Sequence, residues 1–586
     1  MTDSNPLVQN PPHPSPTAWR HGLWPYLLFG LAQGLAFWAL SADLNRLSDT
    51  WRNALQGLAL AGPLAWYLGD TTPAAWRKRL WVALGIGLLI GSLGSFQDAD
   101  RVGAPGGWNP AQLLPAAVLG FVLVTLSAGV AHGRPGLSYP RLFEQAWRNA
   151  FALPLTGVLG GIWWMLMWAG AWLMKSIGLA GMETLLLQPW FNFTVGGVVS
   201  GLSMGAVLRR SDALPTLRRF WLGMNSCFLP LSLAFAAVWL AALCFTGVQP
   251  LFATQKAALF LFWFCTLAVV FANAAYQDGH DAPVLPAPLA RLAPYCVMAW
   301  PVIPVLALLG DWALWLRVQQ YGWTVDRIWA AVVGLVVTLH AAGYALSVWR
   351  RQRWMHTLPA TNIGVALVQV VVLLALLSPV ADSRRIAADS QVKRLLDGRV
   401  TAAEFDWAHL RAGTHGQQAL QRLAALEPTD PGRSAIAQRA AREIRDQAAR
   451  HAPAPRTPDA RLDLLKGMEV LPTGTAVDPA LLQTLARPAP EGPEGRCLDA
   501  AHECVLGLID LNGDGIQEAL LVGDRGASAE AVLYARRPDG WQRAGLVQGR
   551  SAPIAVWKSA LRDGRLAVVP PDWPDLLVDG QRLRIR

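Results

Sequence analysis

Residues 361–391 read TNIGVALVQVVVLLALLSPVADSRRIAADSQ, and the fold class turns on the change in the middle of that line. Up to Val380 the apolar side chains run without a charge for a length that matches the roughly 30 Å hydrocarbon core of a bilayer. From Asp382 onward charges recur every few residues and the apolar positions take a helical spacing. Upstream of this boundary lie ten more uncharged or nearly uncharged stretches, near 22–41, 54–69, 80–96, 111–131, 151–174, 189–207, 220–246, 257–275, 293–310 and 327–348; downstream there is none. Lipid offers backbone groups no hydrogen-bond partners, so such segments cross it as helices. The expected fold is an all-α polytopic membrane domain of about 11 transmembrane helices followed by a soluble α+β tail.

Composition agrees. Of 586 residues 53% are hydrophobic and only 15% charged, and many of the 28 tryptophans fall near span ends, where an indole sits well among headgroups. The net charge of +10 is scattered rather than gathered in one stripe with aromatics, which argues against nucleic acid as a partner and leaves the lipid bilayer. Five regions follow: a Pro-rich leader over 1–21, expected to be disordered and cytoplasmic; the membrane domain over 22–380; amphipathic helices over 381–450; a linker over 451–496; and a small β-rich domain over 497–586.

Orientation is legible in the short loops, because Arg and Lys are retained on the cytoplasmic side. One alternating set holds Arg77, Lys78, Arg79, Arg134, Arg141, Arg148, Arg209, Arg210, Arg218, Arg219, Arg291, Arg350, Arg351 and Arg353; the other holds Arg46, Arg52, Arg101, Lys175, Lys256 and Arg317. The first set is expected inside, with the N-terminus, and an odd number of crossings then places the tail in the periplasm of a bacterial inner membrane. Cys497 and Cys504, the two cysteines of the tail, would form a disulfide in that oxidising compartment.

Polar residues in the membrane half are few. His340 lies well inside a span, as a hydrogen-bonded structural residue or a proton relay; Asn273 ends the eighth span, followed by Asp278, His280 and Asp281, which cap a helix or, less readily, bind a metal. Before the tenth span, Thr324 is placed as an N-cap, Asp326 favours the positive helix end and Arg327 follows. Glycines at four-residue spacing (Gly30 and Gly34; Gly87 and Gly91; Gly157 and Gly161; Gly197, Gly201 and Gly205) mark close helix approaches.

The sharpest motif of the tail is Asp510-Leu511-Asn512-Gly513-Asp514-Gly515-Ile516-Gln517-Glu518 between two apolar runs. Alternating oxygen donors with glycines in the turn suit a hard cation such as Ca2+ in a structural role; a metal-free Asp/Asn/Gly turn is the other reading. The loop resembles the calcium loops of FG-GAP repeats, and that resemblance implies Asp510, Asn512, Asp514 and Glu518 side chains plus the Ile516 carbonyl as ligands.

Four groups of residues carry a second resemblance: Tyr139-Pro140-Arg141-Leu142-Phe143 with Ala146-Trp147-Arg148-Asn149; Asn273 to Gly279; Tyr321-Gly322-Trp323-Thr324 with Arg327; and Ser378-Pro379 with Arg384-Arg385-Ile386 and Ser390-Gln391. Over roughly residues 20–430 the chain resembles bacterial polytopic proteins of domain-of-unknown-function family 4153, which brings no catalytic residues with it. With no catalytic constellation in view, the expected function is non-enzymatic: envelope maintenance, sensing or scaffolding, with a tail that binds an ion or a periplasmic partner. A transporter or channel for an apolar or lipid-like cargo is the alternative.

Overall fold

The computed structural model describes residues 16–41, 47–70, 76–96, 108, 110–130, 137–179, 181–209, 213–279, 284–349, 355–411, 413–427, 429–450, 458–486, 497, 503–524, 529–547, 552–566, 576–578 and 581–583. Most of the 1–21 leader lies outside them, but 16–21 is already helical. The chain divides into two compact units, Met1–Ala419 and Leu420–Arg586.

The first unit is helical: α1 (Pro16–Ser41), α2 (Asp49–Leu68), α3 (Trp76–Gly94), α4 (Pro110–Gly129), α5 (Tyr139–Ser176), α6 (Gly181–Leu186), α7 (Pro189–Leu208), α8 (Ala213–Ser226), α9 (Phe228–Thr246), α10 (Gln249–Ala253), α11 (Ala257–Tyr276), α12 (Ala287–Ala290), α13 (Ala293–Ala299), α14 (Val302–Tyr321), α15 (Val325–Ala345), α16 (Leu358–Leu377) and α17 (Ser383–Leu396). Among the described residues nine helical segments are long and apolar enough to cross a membrane: α1, α4, α5, α7, α8 with α9, α11, α14, α15 and α16. This is a multi-pass membrane protein.

Helices α2 and α3 occupy the second and third expected spans and fall short of that apolar standard. They pair closely, because Gly87 and Gly91 present bare backbone to Gly62, Leu58 and Ala54. α2 is also tied near both of its own ends: Trp108 Nε1 donates to the Asn53 carbonyl (3.0 Å), while the Leu68 and Gly69 carbonyls accept from Arg148 on α5 (3.2 and 2.7 Å). The same device joins α1 to α7, where a side chain at Gly30 or Gly34 would strike the backbone at Gly197, Phe193 and Thr194. Gly157 and Gly161 instead face open space, and a Cβ at either would meet nothing within 4 Å among the described residues. Dispersion and close backbone approach are what hold helices together where lipid removes the hydrophobic drive.

One span is displaced from its sequence reading. The stretch read as 293–310 is broken at Trp300-Pro301 into α13 and α14, and the long helix runs from Val302 to Tyr321. Proline at 301 has no N–H to give to a preceding turn, and Gly322, at φ +72° and ψ 177°, ends the helix in a conformation open essentially to glycine alone. Eleven residues that hydropathy left in a loop are therefore helical.

The first unit continues into α18 (Gly413–Ala424). The second unit has α19 (Pro431–Arg450), α20 (Pro458–Lys466), α21 (Pro479–Leu485), α22 (Ile554–Arg562) and seven strands: β1 (Glu469–Leu471), β2 (Cys504–Ile509), β3 (Glu518–Asp524), β4 (Ala529–Arg537), β5 (Gly540–Val547), β6 (Leu576–Val578) and β7 (Gln581–Leu583). β1 to β5 form one sheet in chain order, β1 parallel to β2 and the rest antiparallel; β6 and β7 pair separately. Alternation splits the sheet's side chains between two cores. Leu506, Leu508, Ala519, Leu521 and Val532 pack with Leu465, Leu481 and Leu485 of α20 and α21, and Val505, Leu520, Val522 and Ala531 pack with Ile554 and Leu561 of α22. The expected linker over 451–496 is therefore corrected in its described part: α20, β1 and α21 belong to the folded domain, which begins well before Cys497.

Candidate functional site

Polar groups gather at both ends of the membrane bundle, with different characters. At the arginine-rich end, Asn273 of α11, Asn362 of α16, Tyr344 of α15 and Tyr139 of α5 form a closed hydrogen-bonded knot. Asn362 Nδ2 donates to Asn273 Oδ1 and to the Tyr139 hydroxyl, both at 2.6 Å; Asn273 Nδ2 donates to the Tyr344 hydroxyl (2.8 Å), which donates in turn to Asn362 Oδ1. Each amide finds partners inside the knot, so it ties four helices together and leaves no donor set aimed at a ligand. Asp278 lies within electrostatic range of Tyr139; His280 is outside the described residues. His340 is also in a structural setting, Nδ1 2.7 Å from the Val336 carbonyl and its ring against Tyr344.

At the opposite end α17 grips the loop that follows α14. Ser390 Oγ accepts from Trp323 N (2.9 Å), Gln391 Nε2 donates to the Tyr321 and Trp323 carbonyls (2.9 and 2.8 Å), and Arg394 donates to the Tyr321 and Gln320 carbonyls (2.8 and 2.9 Å). Arg327 closes the loop from within, its guanidinium 2.8 Å from the Gly322 carbonyl, and Thr324 caps α15 by accepting from Arg327 N, as its position in the sequence implied.

Beside this loop a cleft of about 1070 Å³ opens between α10, α11, α14 and α15. Its mouth carries Lys256, Arg317, Arg327 and Asp326, three cations to one carboxylate, together with Gln320 and Tyr321. Farther along the helices the lining becomes apolar, through Leu259, Trp263, Leu314 and Ala330 to Phe262, Thr266 and Val333, and Leu259, Trp263 and Val333 leave this part open to the outside of the bundle. Thr266 stands nine residues beyond Ala257 on α11, so the cleft reaches about 13 Å along the helices. A volume of this order holds a drug-sized organic molecule, and the lining suits a flat or apolar body with a polar or anionic end.

Past the inner end of the cleft stands a carboxylate that the sequence reading missed. Asp311 is the tenth of the twenty residues of α14, about 14 Å from either end, and Asp311 Oδ2 accepts from the Thr338 hydroxyl on α15 (2.7 Å). Gly334, one turn before Thr338, makes the room: a side chain there would collide with Asp311 Oδ1 and lie 2.6 Å from the Phe262 ring. Reading the ninth span as 293–310 stopped one residue short of Asp311. The stop signal Gly322 and the break at Pro301 were the clues.

In the tail, Cys497 and Cys504 form a disulfide. The Asp510 to Glu518 loop joins β2 to β3 with its side chains turned inward. Asp510 accepts from Gly513 N (2.7 Å) and Gly515 N (2.9 Å), Asp514 from Ile516 N (2.8 Å), and the buried Glu518 from Leu511 N (2.8 Å). Asn512 Oδ1 accepts from Asp514 N, and its Nδ2 donates to Asp514 Oδ2 (2.8 Å) and Glu518 Oε1 (3.0 Å). An amide N–H thus stands between the carboxylates where a cation would, and among the described residues no group of three His, Cys, Asp or Glu side chains is placed to hold a metal.

No family model matches the chain, and no solved structure does. Over 99 residues it is 30% identical to a riboflavin transporter of Vibrio cholerae serotype O1; the match takes in 17% of this chain and 33% of that protein. The chain thus spans about a third of the length of the curated relative it matches.

Proposed function

We propose that the protein is a transporter of the bacterial inner membrane whose cargo is an amphiphile with a planar or apolar body, taken up in the cleft between α11, α14 and α15. The cleft carries this reading: its basic end and its apolar stretch offer a polar end and a flat body separate places. The shared stretch with a riboflavin transporter names riboflavin as the first cargo to try. With α2 and α3 counted among the crossings the total is eleven, and the N-terminus is then cytoplasmic and the disulfide-bearing tail periplasmic. No step of covalent chemistry is assigned to the chain.

The test is uptake of riboflavin into proteoliposomes containing the purified full chain, alongside quenching of riboflavin fluorescence on binding. Saturable uptake lost in Arg327→Ala and Trp263→Ala supports the reading; no uptake and no binding of riboflavin or of a fluorescent phospholipid would sink it. A second reading, a non-enzymatic envelope protein whose tail binds a periplasmic partner, rests on the disulfide and the two-sided sheet of the tail. It predicts a deletion phenotype reproduced by loss of the tail alone.

A further inference from the structure

Ionisable side chains midway along an apolar helix are costly, and they persist where a role or a partner holds them. Among the described residues no cation pairs with Asp311. Its described hydrogen-bond partner is the neutral Thr338 hydroxyl. The helices packed on α14 supply few titratable neighbours. From α11 the Cys265 thiol lies within electrostatic range, and it donates to the Ile303 carbonyl at 3.7 Å rather than to the carboxylate. α9 carries no ionisable residue on the faces it presents except Cys244, and α15 has Asp326 and Arg327 at the cleft mouth, His340 bonded to its own helix and Tyr344 bonded into the knot. A metal ion at Asp311 would need about six oxygen ligands, and one hydroxyl beside one carboxylate does not provide them. A proton needs only the carboxylate.

The route to that carboxylate runs through Phe262. This ring lines the cleft and also packs on the two glycines that border Asp311, Gly310 before it in the chain and Gly334 across from it. A cargo seated against Phe262 and a proton on Asp311 are thereby separated by one ring. We infer that Asp311 is a proton-exchange site at the base of the cleft, held by Thr338 and accommodated by Gly334, through which occupancy of the cleft is coupled to protonation. The coupling rests on the transporter reading; the proton site does not.

Dicyclohexylcarbodiimide tests it. The reagent adds whole across the O–H of a protonated carboxyl group in apolar surroundings, giving an N-acylurea after acyl migration, with no leaving group. Purified full chain in detergent is treated across a pH series and the adduct mapped by peptide mass. The expected result is labelling at Asp311 that falls at least fivefold as pH rises and is absent in Asp311→Asn. In Thr338→Val the half-labelling pH moves upward, because the lost hydroxyl favoured the charged form. A merely structural Thr338 would leave that midpoint in place. Gel filtration shows whether each variant remains folded. Absence of label at Asp311, or labelling independent of pH, overturns the proposal. Riboflavin added beforehand is a separate arm: protection supports coupling, and pH-dependent labelling without protection counts against the riboflavin reading while leaving the proton site standing.

Discussion

The side-chain amide of Asn362 stands 2.6 Å from the phenol oxygen of Tyr139, two residues 223 positions apart that the bundle brings to one end. The bond closes the knot that also holds Asn273 and Tyr344. Interhelical polar contacts in membranes contribute roughly 0.5 to 2 kcal/mol each. Asn362→Leu removes two donated bonds and leaves the Tyr344 hydroxyl without its acceptor. A loss of about 1 to 3 kcal/mol is expected in a denaturant titration of the detergent-solubilised protein. Tyr139→Phe, which removes one member at the edge of the knot, should lose less than half as much.

Gly322 is the second test. A side chain there meets the strain of φ +72° and falls 2.9 Å from Gln391 Nε2 and 3.1 Å from Ser390 Oγ. Gly322→Ala should cost about 2 to 3 kcal/mol and loosen α17. Limited trypsin digestion of the full chain would then cut at Arg384, Arg385 and Arg394 at least fivefold faster than in wild type. Equal rates would mean that the grip does not depend on this glycine.

In the tail, the hydrogen bonds of Lys558 (2.7 Å) and Arg562 (2.9 Å) to Glu469 hold its carboxyl below the ordinary range. Such a group adds stability above its unfolded value of about 4.3, and the contribution is lost as pH falls through the lower folded value. For Lys558 burial works downward, but the bonds to Glu469 and Glu503 outweigh it and raise the ammonium; its contribution is full below about 10.4 and lost as pH rises through the folded value. Melting of the β-sheet infrared band in the full chain should therefore fall off in acid below about pH 4. Glu469→Gln should flatten that limb.

Asn512 decides between a metal loop and a hydrogen-bonded turn. If its amide takes the cation's place, Asn512→Ala leaves the buried Glu518 with an unmet acceptor and destabilises the sheet by about 1 to 2 kcal/mol, with or without chelator. Millimolar Ca2+ would leave the wild-type melting temperature within a degree of its value in EDTA. A calcium-dependent rise that disappears in Asp510→Asn would instead establish the loop as a calcium site.

Spans were legible because apolar length is a local property of the chain, and the Thr324 cap because its signal lies within three residues. What escaped the sequence depended on partners far away. Asn273 stood out at a span end, but Asn362 and Tyr344 gain meaning only when α15 and α16 pack on α11. Asp311 was hidden by averaging: a window that began at Ala293 exhausted its apolar length just before the carboxylate. β1 is three residues long and pairs with β2 more than thirty positions later, so no periodicity announced it inside the presumed linker. Among the residue groups behind the family resemblance, two distant pairings are physical ones, Tyr139 with Asn273 and the 321–324 loop with Ser390 and Gln391.

Because Gln391 and Arg394 hold the carbonyls at residues 320, 321 and 323 through four hydrogen bonds, the far end of α14 is anchored along its axis. Such an anchor resists a piston stroke but permits a swing about that end. If the proposed transport moves the helix bearing Asp311, it does so as a lever whose fulcrum is the Tyr321 turn, and the displacement grows toward Pro301.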